Sequence, residues 1–578
     1  MTSTPREISR PTLGVLAGWQ FYRTATNLSY LMPIFRGIRR AAQALNCNVL
    51  FGCGMGPSAS PSDPHRPAWP VPSEEQDFVP IGPWNTQGLI VAAPLHSAAR
   101  SAYLRELRAA GFPVLFIGSG EEGPTIAANN AAGILQAVEH LMAHGRRQIA
   151  FIAGSADDLS GDSGKRLQAF SAACAHFGLE QDARRVVYGR HVYDGGFAAA
   201  AQLLESGAAF DALIASNDES ALGAMEALQQ AGRRIPEDVA VIGFDNRLEG
   251  AVQQPGLTSV HVPLFDMGYQ AVEQIYRHLT RQLPLSANLS LDTRLVVRQS
   301  CGCQTWSQGS AFGLDALPLA RQMAAQIQKQ AFDFSEEKIH VLCQSLVSAF
   351  GTSLTSGDPA DFRAALQETL QQTLQSKDGA HIWQDAITLL AQNPPQTGNP
   401  ALTQTLLDEA RVAISAQMQQ QHRLDTLRER WRTSRLSLLT ARLLTALDEE
   451  QIYAILARYL PDLEISFAQI GLFEPEGADP FAWYTLRNAL APQQSPLRLR
   501  SQSFPPAGLF TPEQPFHLTL IPLTDQTGQI GFMAFDTAQF SLYGAIVQQL
   551  GGALNTARLY RQANEARRAE IEARKTNK

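Results

Sequence analysis

The chain has 578 residues, a length that suggests several domains, and its 45% hydrophobic content is ordinary for large globular cores. A net charge of -7 argues against a basic nucleic-acid surface over the whole chain, though not against a local one. No apolar run approaches the ~18 residues of a membrane span, Met1–Pro11 has no apolar stretch of a leader peptide, and six sparse cysteines speak against a disulfide framework, so the expected compartment is cytoplasmic, with no membrane partner.

From residue 12 to about 303, short apolar runs alternate with helical stretches. The runs are Thr12–Ala17, Asn48–Phe51, Gly88–Ala93, Pro113–Ile117, Gln148–Ile152, Ala212–Ala215 and Val239–Phe244. Helical periodicity intervenes at Leu31–Leu45, Ala131–Ala143, Lys165–Phe177 and Glu219–Ala231. Fully apolar strands separated by helices predict parallel sheets covered on both faces, with ligand loops at the carboxyl ends of the strands. The length of the run suggests two such sheets. Gly54–Pro83, rich in Pro and Ser, reads as a long surface loop.

Residues 304–447 are rich in Gln, Ala and Leu. Leu406, Ala410, Ala413, Gln417, Gln420, Leu424, Leu427, Trp431, Ser434, Leu438 and Ala441 alternate steps of four and three, a heptad seam whose glutamines would fix register. Such a seam serves a coiled coil in a homodimer, or packs on the chain's own domains. Residues 448–545 look α+β: Ser466–Phe473, Leu518–Leu523 and Gln529–Phe535 read as strands, the last two joined by a turn at Asp525–Gly528. Residues 546–578 read as a terminal coiled-coil helix that ends in dense mixed charge.

The segment Gly154–Phe170, "GSADDLSGDSGKRLQAF", decides the chemistry. A phosphate-cradling loop would need Ser or Thr after Gly164-Lys165 and a glycine five residues earlier, but Arg166 and Leu159 stand there. A serine nucleophile at Ser163 has no local signature placing His and Asp around it, and no Gly-x-Ser-x-Gly elbow. The glycines therefore make a flexible loop, and Arg166 sits in the first turn of the helix beyond it, offering a rigid fork of donors. Asn217 and Asp218 follow one strand, Asp245 and Asn246 another, and Trp19, Phe21 and Tyr22 a third. Amide, carboxylate, guanidinium and aromatic face together hold a sugar, and unpaired polar groups would reject the wrong ligand. No activated nucleophile, cofactor box or metal cluster appears. Cys301-Gly-Cys303 is the only close thiol pair, and no second ligand pair follows it. Binding is favoured over catalysis.

Several stretches carry a resemblance: "AVEHLMAHGRRQIAFIAG", "KRLQAF", "FDALIASNDESALGAMEALQQAGRRIPEDVAVIGFDN" and "PGLTSVHVPLFDMGYQAVEQI". They resemble, in this order, the ligand-sensing core of LacI/GalR-type regulators. The resemblance implies an α/β, two-lobed type I periplasmic-binding-protein fold over residues 12–303. The first lobe would take about 12–145 and 259–288, and the second about 146–258 and 289–303, with three crossings between them. It implies ligand contacts from Arg166, Asn217 and Asp245, from Trp19, Tyr22 and Tyr30 in the first lobe, and from His191 in the second. Asp218 would cap the helix from Glu219. Asn129 stands where the family usually has a ligand-facing Asp. Only Met1–Pro11 precede the first strand, so operator binding through the family's helix-turn-helix is not expected.

"VVRQSCGC", then helices, then a GAF-like α+β segment resembles cytoplasmic sensor modules of bacterial signalling proteins. The expected function is a sensor that binds a small polar ligand, a sugar, and signals through a GAF-like domain to an output partner such as a histidine kinase. His422 on the long helix reads as an exposed surface histidine. Two alternatives are a regulator acting at DNA through a partner or an unrecognised module, and the sensor part of a histidine kinase or diguanylate cyclase lacking its catalytic domain.

Overall fold

The structure is a computed structural model. It describes Arg10–Thr576 except residues 18–25, 55–68, 71–76, 93–97, 119–122, 157–160, 286–287, 304–315, 329–330, 332–333, 377, 394–398, 475–478, 512 and 526–527. The chain forms two compact units, Met1–Thr305 with Arg435–Lys578, and Trp306–Ser434.

The first unit begins with β1 (Thr12–Ala17), β2 (Asn48–Cys53), β3 (Gly88–Val91), β4 (Val114–Ile117) and β5 (Thr125–Ala128). There follow β6 (Ile149–Ala153), β7 (Val186–Tyr188), β8 (Ala212–Ala215), β9 (Ala240–Asp245) and β10 (Thr258–His261). Every residue of β3, β4, β6 and β8 is buried, which is why these strands read as unbroken apolar runs. β11 (Asn288–Leu291) then pairs in parallel with β5, and β12 (Arg294–Val296) pairs antiparallel with β10. The lobes are thus β11-β5-β4-β3-β1-β2 and β12-β10-β9-β8-β6-β7.

The chain crosses between the sheets three times, as expected: between Ala128 and Asn130, between His261 and Leu264, and between Leu291 and Arg294. The lobe borders differ from the expected ones. The Asn130–Ala143 helix belongs to the second lobe: Gln136 bonds Leu295 N and Thr293 O, and Gly133 lies against Val260 and Phe244. β10 belongs to the second lobe as well, and β11 to the first. Alternation of strands and helices reveals that elements exist, not which of two similar sheets each one joins.

Within the stretch read as a surface loop, the described residues 69–70 and 77–83 depart from that reading. Trp69, Phe78, Val79 and Ile81 are buried, and Asp77 forms a buried ion pair with Arg100. The aromatic and aliphatic residues there cover the first lobe's sheet as part of one cluster with Leu16, Leu89 and Phe116.

The three expected C-terminal strands are present as β13 (Ala468–Phe473), β16 (His517–Asp525) and β17 (Gly528–Phe535), and two that the sequence did not announce, β14 (Trp483–Asn488) and β15 (Leu497–Arg500), follow β13 in the chain. They are antiparallel in the order β15-β14-β13-β17-β16, and Asp525 pairs with Gly528, while the two residues of the expected turn between them lie outside the described residues. The structure does not isolate them as a domain. β16 pairs in parallel with β2, His517–Leu520 against Val49–Gly52, so eleven strands form one sheet. Val49–Cys53 of β2 are all buried, and an apolar edge strand needs such a cover. On the Phe540–Thr576 helix, Ile546, Leu550, Ala553 and Ala557 are buried while Tyr560 is exposed.

The second unit contains the helices Ala316–Gln328, Glu336–Ser356, Ala360–Leu374 and Ile382–Gln392 and the start of Pro400–Leu443. Its core collects Phe350, Phe362 and Trp383. The heptad seam divides along the long helix. Leu406 and Ala410 are fully buried in this core, whereas Leu424, Leu427 and Trp431 are 42%, 60% and 44% exposed. The first part of the seam therefore packs on the chain's own helices, and its later part is exposed in the single chain. His422 is exposed, as expected.

Candidate ligand-binding site

The site grows from the carboxyl ends of the second lobe's strands. After β6 the chain passes Gly154 and enters the Asp162–His176 helix, whose first turns carry Arg166. Arg166 is only 4% exposed and is held on several sides. Its Nε donates to Asn130 Oδ1 at 2.9 Å, its Nη1 donates to Ser216 O at 2.5 Å, and its guanidinium lies 3.9 Å from the Phe244 ring centroid. Asn130 in turn donates to Asp162 Oδ1 at 2.8 Å. A guanidinium locked in this way is pre-organised for a ligand.

Asp245 closes β9 with φ +107, and Asn246 follows with φ +55. Non-glycine residues in this region cost about 1–3 kcal/mol and cluster at functional sites. The Asp245 side chain is 8% exposed, and its Oδ1 stands 3.6 Å from Arg166 Nη1. That oxygen accepts no hydrogen bond among the described residues. Burial pushes its carboxyl up to about 6, against the pull of Arg166 and Arg247. From the first lobe, a Cβ on Gly118 would lie 3.6 Å from Asp162 Oδ2, so the strand ends of the two lobes meet beside this cluster.

Asn217 is spent on the protein. Its Oδ1 caps the Asp218–Gln230 helix by accepting from Ser220 N at 3.0 Å, and its Nδ2 donates to His191 O at 3.0 Å. It thereby fixes the His191 backbone, itself at φ +58. The His191 ring lies over Gly154, where a Cβ would come within 2.0 Å of Nε2, so only glycine fits. Ser163 Oγ accepts from Gly154 N at 2.8 Å and is buried, a tie between loop and helix.

Asp218 does not cap its helix; Asn217 does. Asp218 is fully buried and accepts from Ser259 Oγ at 2.5 Å and Arg247 N at 2.6 Å. Burial and then the charge of Asp245 push its carboxyl up to about 7. Arg247 pairs with Glu219 at 3.1 Å, both side chains 8% exposed. Asn130, Glu219 and Arg247 are the members of this network that sequence reasoning missed, while Asp218 was placed at its strand end but read as a helix cap. The acidic pair in "NDES" was a visible signal, since two carboxylates opening a largely apolar helix call for buried partners. Asn129 caps the Asn130–Ala143 helix and donates to Asp292 Oδ1 at 3.3 Å, which joins the first crossing to the third.

Arg166, Asp245, Asn217 and His191 thus stand around adjacent strand ends of the second lobe. Trp19 and Tyr22 lie outside the described residues. Tyr30 is in the Thr26–Ala44 helix, and its side chain lies outside the description too.

Residues 138–301 match the periplasmic binding protein-like domain family. HTH-type transcriptional regulator CelR of Thermobifida fusca is 37% identical over 172 residues, which are 30% of this chain and 50% of CelR. HTH-type transcriptional regulator AscG of Escherichia coli (strain K12) is 40% identical over 131 residues, 23% of this chain and 38% of AscG. Catabolite control protein A of Priestia megaterium is 29% identical over 201 residues, 34% of this chain and 60% of that protein. The chain therefore spans between 38% and 60% of the length of these relatives. The solved CelR–cellobiose complex is 27% identical and covers 50% of this chain and 85% of its own, with a TM-score of 0.42. No helix among the described residues is long and apolar enough to cross a membrane. With two parallel α/β lobes joined by three crossings, the chain carries a periplasmic-binding-protein-like domain of the kind found in LacI/GalR regulators.

Proposed function

We propose that this chain is a sugar-responsive regulator in which ligand binding draws the two lobes together. One observation carries the reading: the buried Asp245 Oδ1 accepts no hydrogen bond among the described residues and stands 3.6 Å from the fixed Arg166 guanidinium. A carboxylate takes the hydroxyl donors of a sugar, and a guanidinium fork donates to its oxygens. The printed name of a further relative agrees: a ribose operon repressor is 30% identical over 181 residues, 31% of this chain and 53% of that protein. The chain acts by binding, in the cytoplasm, and not as an enzyme. Closure is a population shift limited by the ligand's differential affinity for the closed state, typically ~1–3 kcal/mol of coupling. The exposed Leu424, Leu427 and Trp431 make the long helix the dimer contact. Through it and the GAF-like strands β13–β17 the change reaches an output protein, such as a histidine kinase. A second reading has the output at DNA, and the helix-turn-helix names of the relatives favour it. A gel-shift assay with genomic fragments separates the two.

The test is a thermal-shift screen of the purified chain against monosaccharides, disaccharides, polyols and nucleosides. One sugar class should raise the midpoint, since a ligand at a hundredfold its Kd stabilises by about 2.7 kcal/mol. A screen in which only nucleosides act, or nothing does, would overturn the reading.

The site also sets a pH dependence. Asp245 must be ionised to accept two hydroxyl protons, and its carboxyl titrates at about 6. Protonation therefore competes with the ligand, and affinity should fall as pH drops through about 6. Arg166, Arg247, Asp162 and Glu219 face the group and move the midpoint without reversing the sign. Titration calorimetry between pH 5 and pH 8 reads this out, and Asp245→Asn should leave a weak, flat profile. A steep profile in that variant would assign the dependence to another group.

A further inference from the structure

Cys301-Gly-Cys303 closes the second lobe, and its missing ligand pair lies far upstream. His140 and His144 are four residues apart at the end of the Asn130–Ala143 helix, so their rings share one face, with centroids 4.8 Å apart. His140 Nε2 lies 3.2 Å from Cys301 Sγ and 3.6 Å from Cys303 Sγ, and His144 Nε2 lies 3.0 Å from Cys303 Sγ. One ligand atom from each of His140, Cys301 and Cys303 falls within 4.8 Å of the others. Gly302 turns the chain at φ +100 and brings both thiols to this helix.

We propose that His140, His144, Cys301 and Cys303 form a tetrahedral zinc site that clasps the chain's exit from the second lobe. Tetrahedral zinc with bonds of ~2.3 Å to sulfur and ~2.0 Å to nitrogen places neighbouring ligand atoms roughly 3.5 Å apart. The three nitrogen–sulfur spacings of 3.0–3.6 Å are near that, and closing the site requires the side chains, His144 above all, to turn inward around the His140–Cys301–Cys303 group. Two thiolates and two imidazoles are a set that suits zinc above hard cations. Four protein ligands leave no open position, so the site is structural. Thr258 Oγ1 donates to Cys301 Sγ at 3.1 Å, the kind of outer contact that steadies a metal-bound thiolate. Cys301 is buried, while His144 is exposed and Cys303 half-buried, so the ion enters from the solvent side. Binding displaces the two thiol protons to solvent. All six cysteines are free, which leaves both thiols available.

The clasp has a mechanical meaning. The helix that carries both histidines starts at Asn129, on the first crossing between the lobes, and ends at His144. It is a rod of about 20 Å. Fastening Cys301 and Cys303 to its far end ties the segment leaving the lobe to the same rod that moves with the hinge. The metal site stands independently of which ligand the cleft takes.

The test uses the full chain, grown with zinc and purified under reducing conditions without chelator. Elemental mass spectrometry should find about one zinc per chain. Cobalt exchanged for zinc should give tetrahedral d–d bands and thiolate charge-transfer absorption. Cys303→Ser and His144→Ala change solvent-side residues, so circular dichroism should be unaltered while zinc affinity drops on the order of tenfold or more. A chelator should lower the thermal midpoint of the parent chain and leave that of His144→Ala unmoved. A metal-free parent chain would overturn the proposal. So would zinc retained in both variants, or an oxidised Cys301–Cys303 pair under these conditions.

Discussion

Arg166→Ala should reduce affinity for the stabilising sugar on the order of a hundredfold or more. Hydrogen bonds from a charged donor contribute about 1.5–3 kcal/mol each, and the substitution removes more than ligand contacts. Asn130 Oδ1 and Ser216 O lose their donor, and Asp245 loses the cation 3.6 Å from its buried oxygen. An uncompensated buried carboxylate takes up a proton, which also removes the acceptor for the ligand's hydroxyl groups. The alanine variant will therefore be less stable as well. Arg166→Lys separates the two effects. It keeps the charge and loses the planar fork, so the fold should hold while affinity still falls roughly tenfold. Titration calorimetry on both variants at pH 7.5, above the Asp245 transition, is the measurement. Affinity within about threefold of the parent chain in Arg166→Lys and Arg166→Ala alike would show that the arginine only braces the loop.

Arg166 was legible because its surroundings follow from chain order. Gly154 ends an apolar strand, a helix starts soon after, and an arginine in its first turns must stand near the sheet's carboxyl edge. Asp245 was legible for the same reason. Its consequence was not, since an oxygen without a donor is a fact of three-dimensional packing. Asn217 illustrates the opposite case: the sequence places it at the right edge, yet both ends of its amide serve Ser220 and His191.

Pairings between distant segments escaped for a common physical reason. The β2–β16 ladder joins Val49 to His517, and either strand by itself shows only an apolar run. His140 and Cys301 are 161 positions apart, so ligand spacing along the chain gave no hint of their approach. The α+β segment read as a separate domain because its own strands are antiparallel and consecutive in hairpins, while its edge seeks a partner elsewhere. The lobe borders fell where short segments around Asn129, Val262 and Asp292 cross between sheets, and such segments have no periodicity to read.

Trp383→Ala should lower the stability of the helical unit by about 3–5 kcal/mol, the range for deleting a buried indole. Trp383 is fully buried, its Nε1 donates to Thr373 Oγ1 at 2.8 Å, and its ring meets Phe334 edge-on at 6.4 Å. Thr373 keeps its bond to Thr369 O, so the cost is chiefly the cavity. The core that loses the indole contains residues between Leu319 and Ile414 only, and none of them belongs to the clusters that fill the lobes. The loss should therefore appear in one of two unfolding steps. For a unit of this size it amounts to a midpoint drop of about 10–20 °C. Calorimetry with and without the stabilising sugar identifies the steps, because the sugar raises the lobes' transition and Trp383→Ala leaves that transition in place. A single transition displaced as a whole would instead mean that the long helix, buried at Leu406 in one core and at Leu439 in the other, couples the two units into one cooperative body.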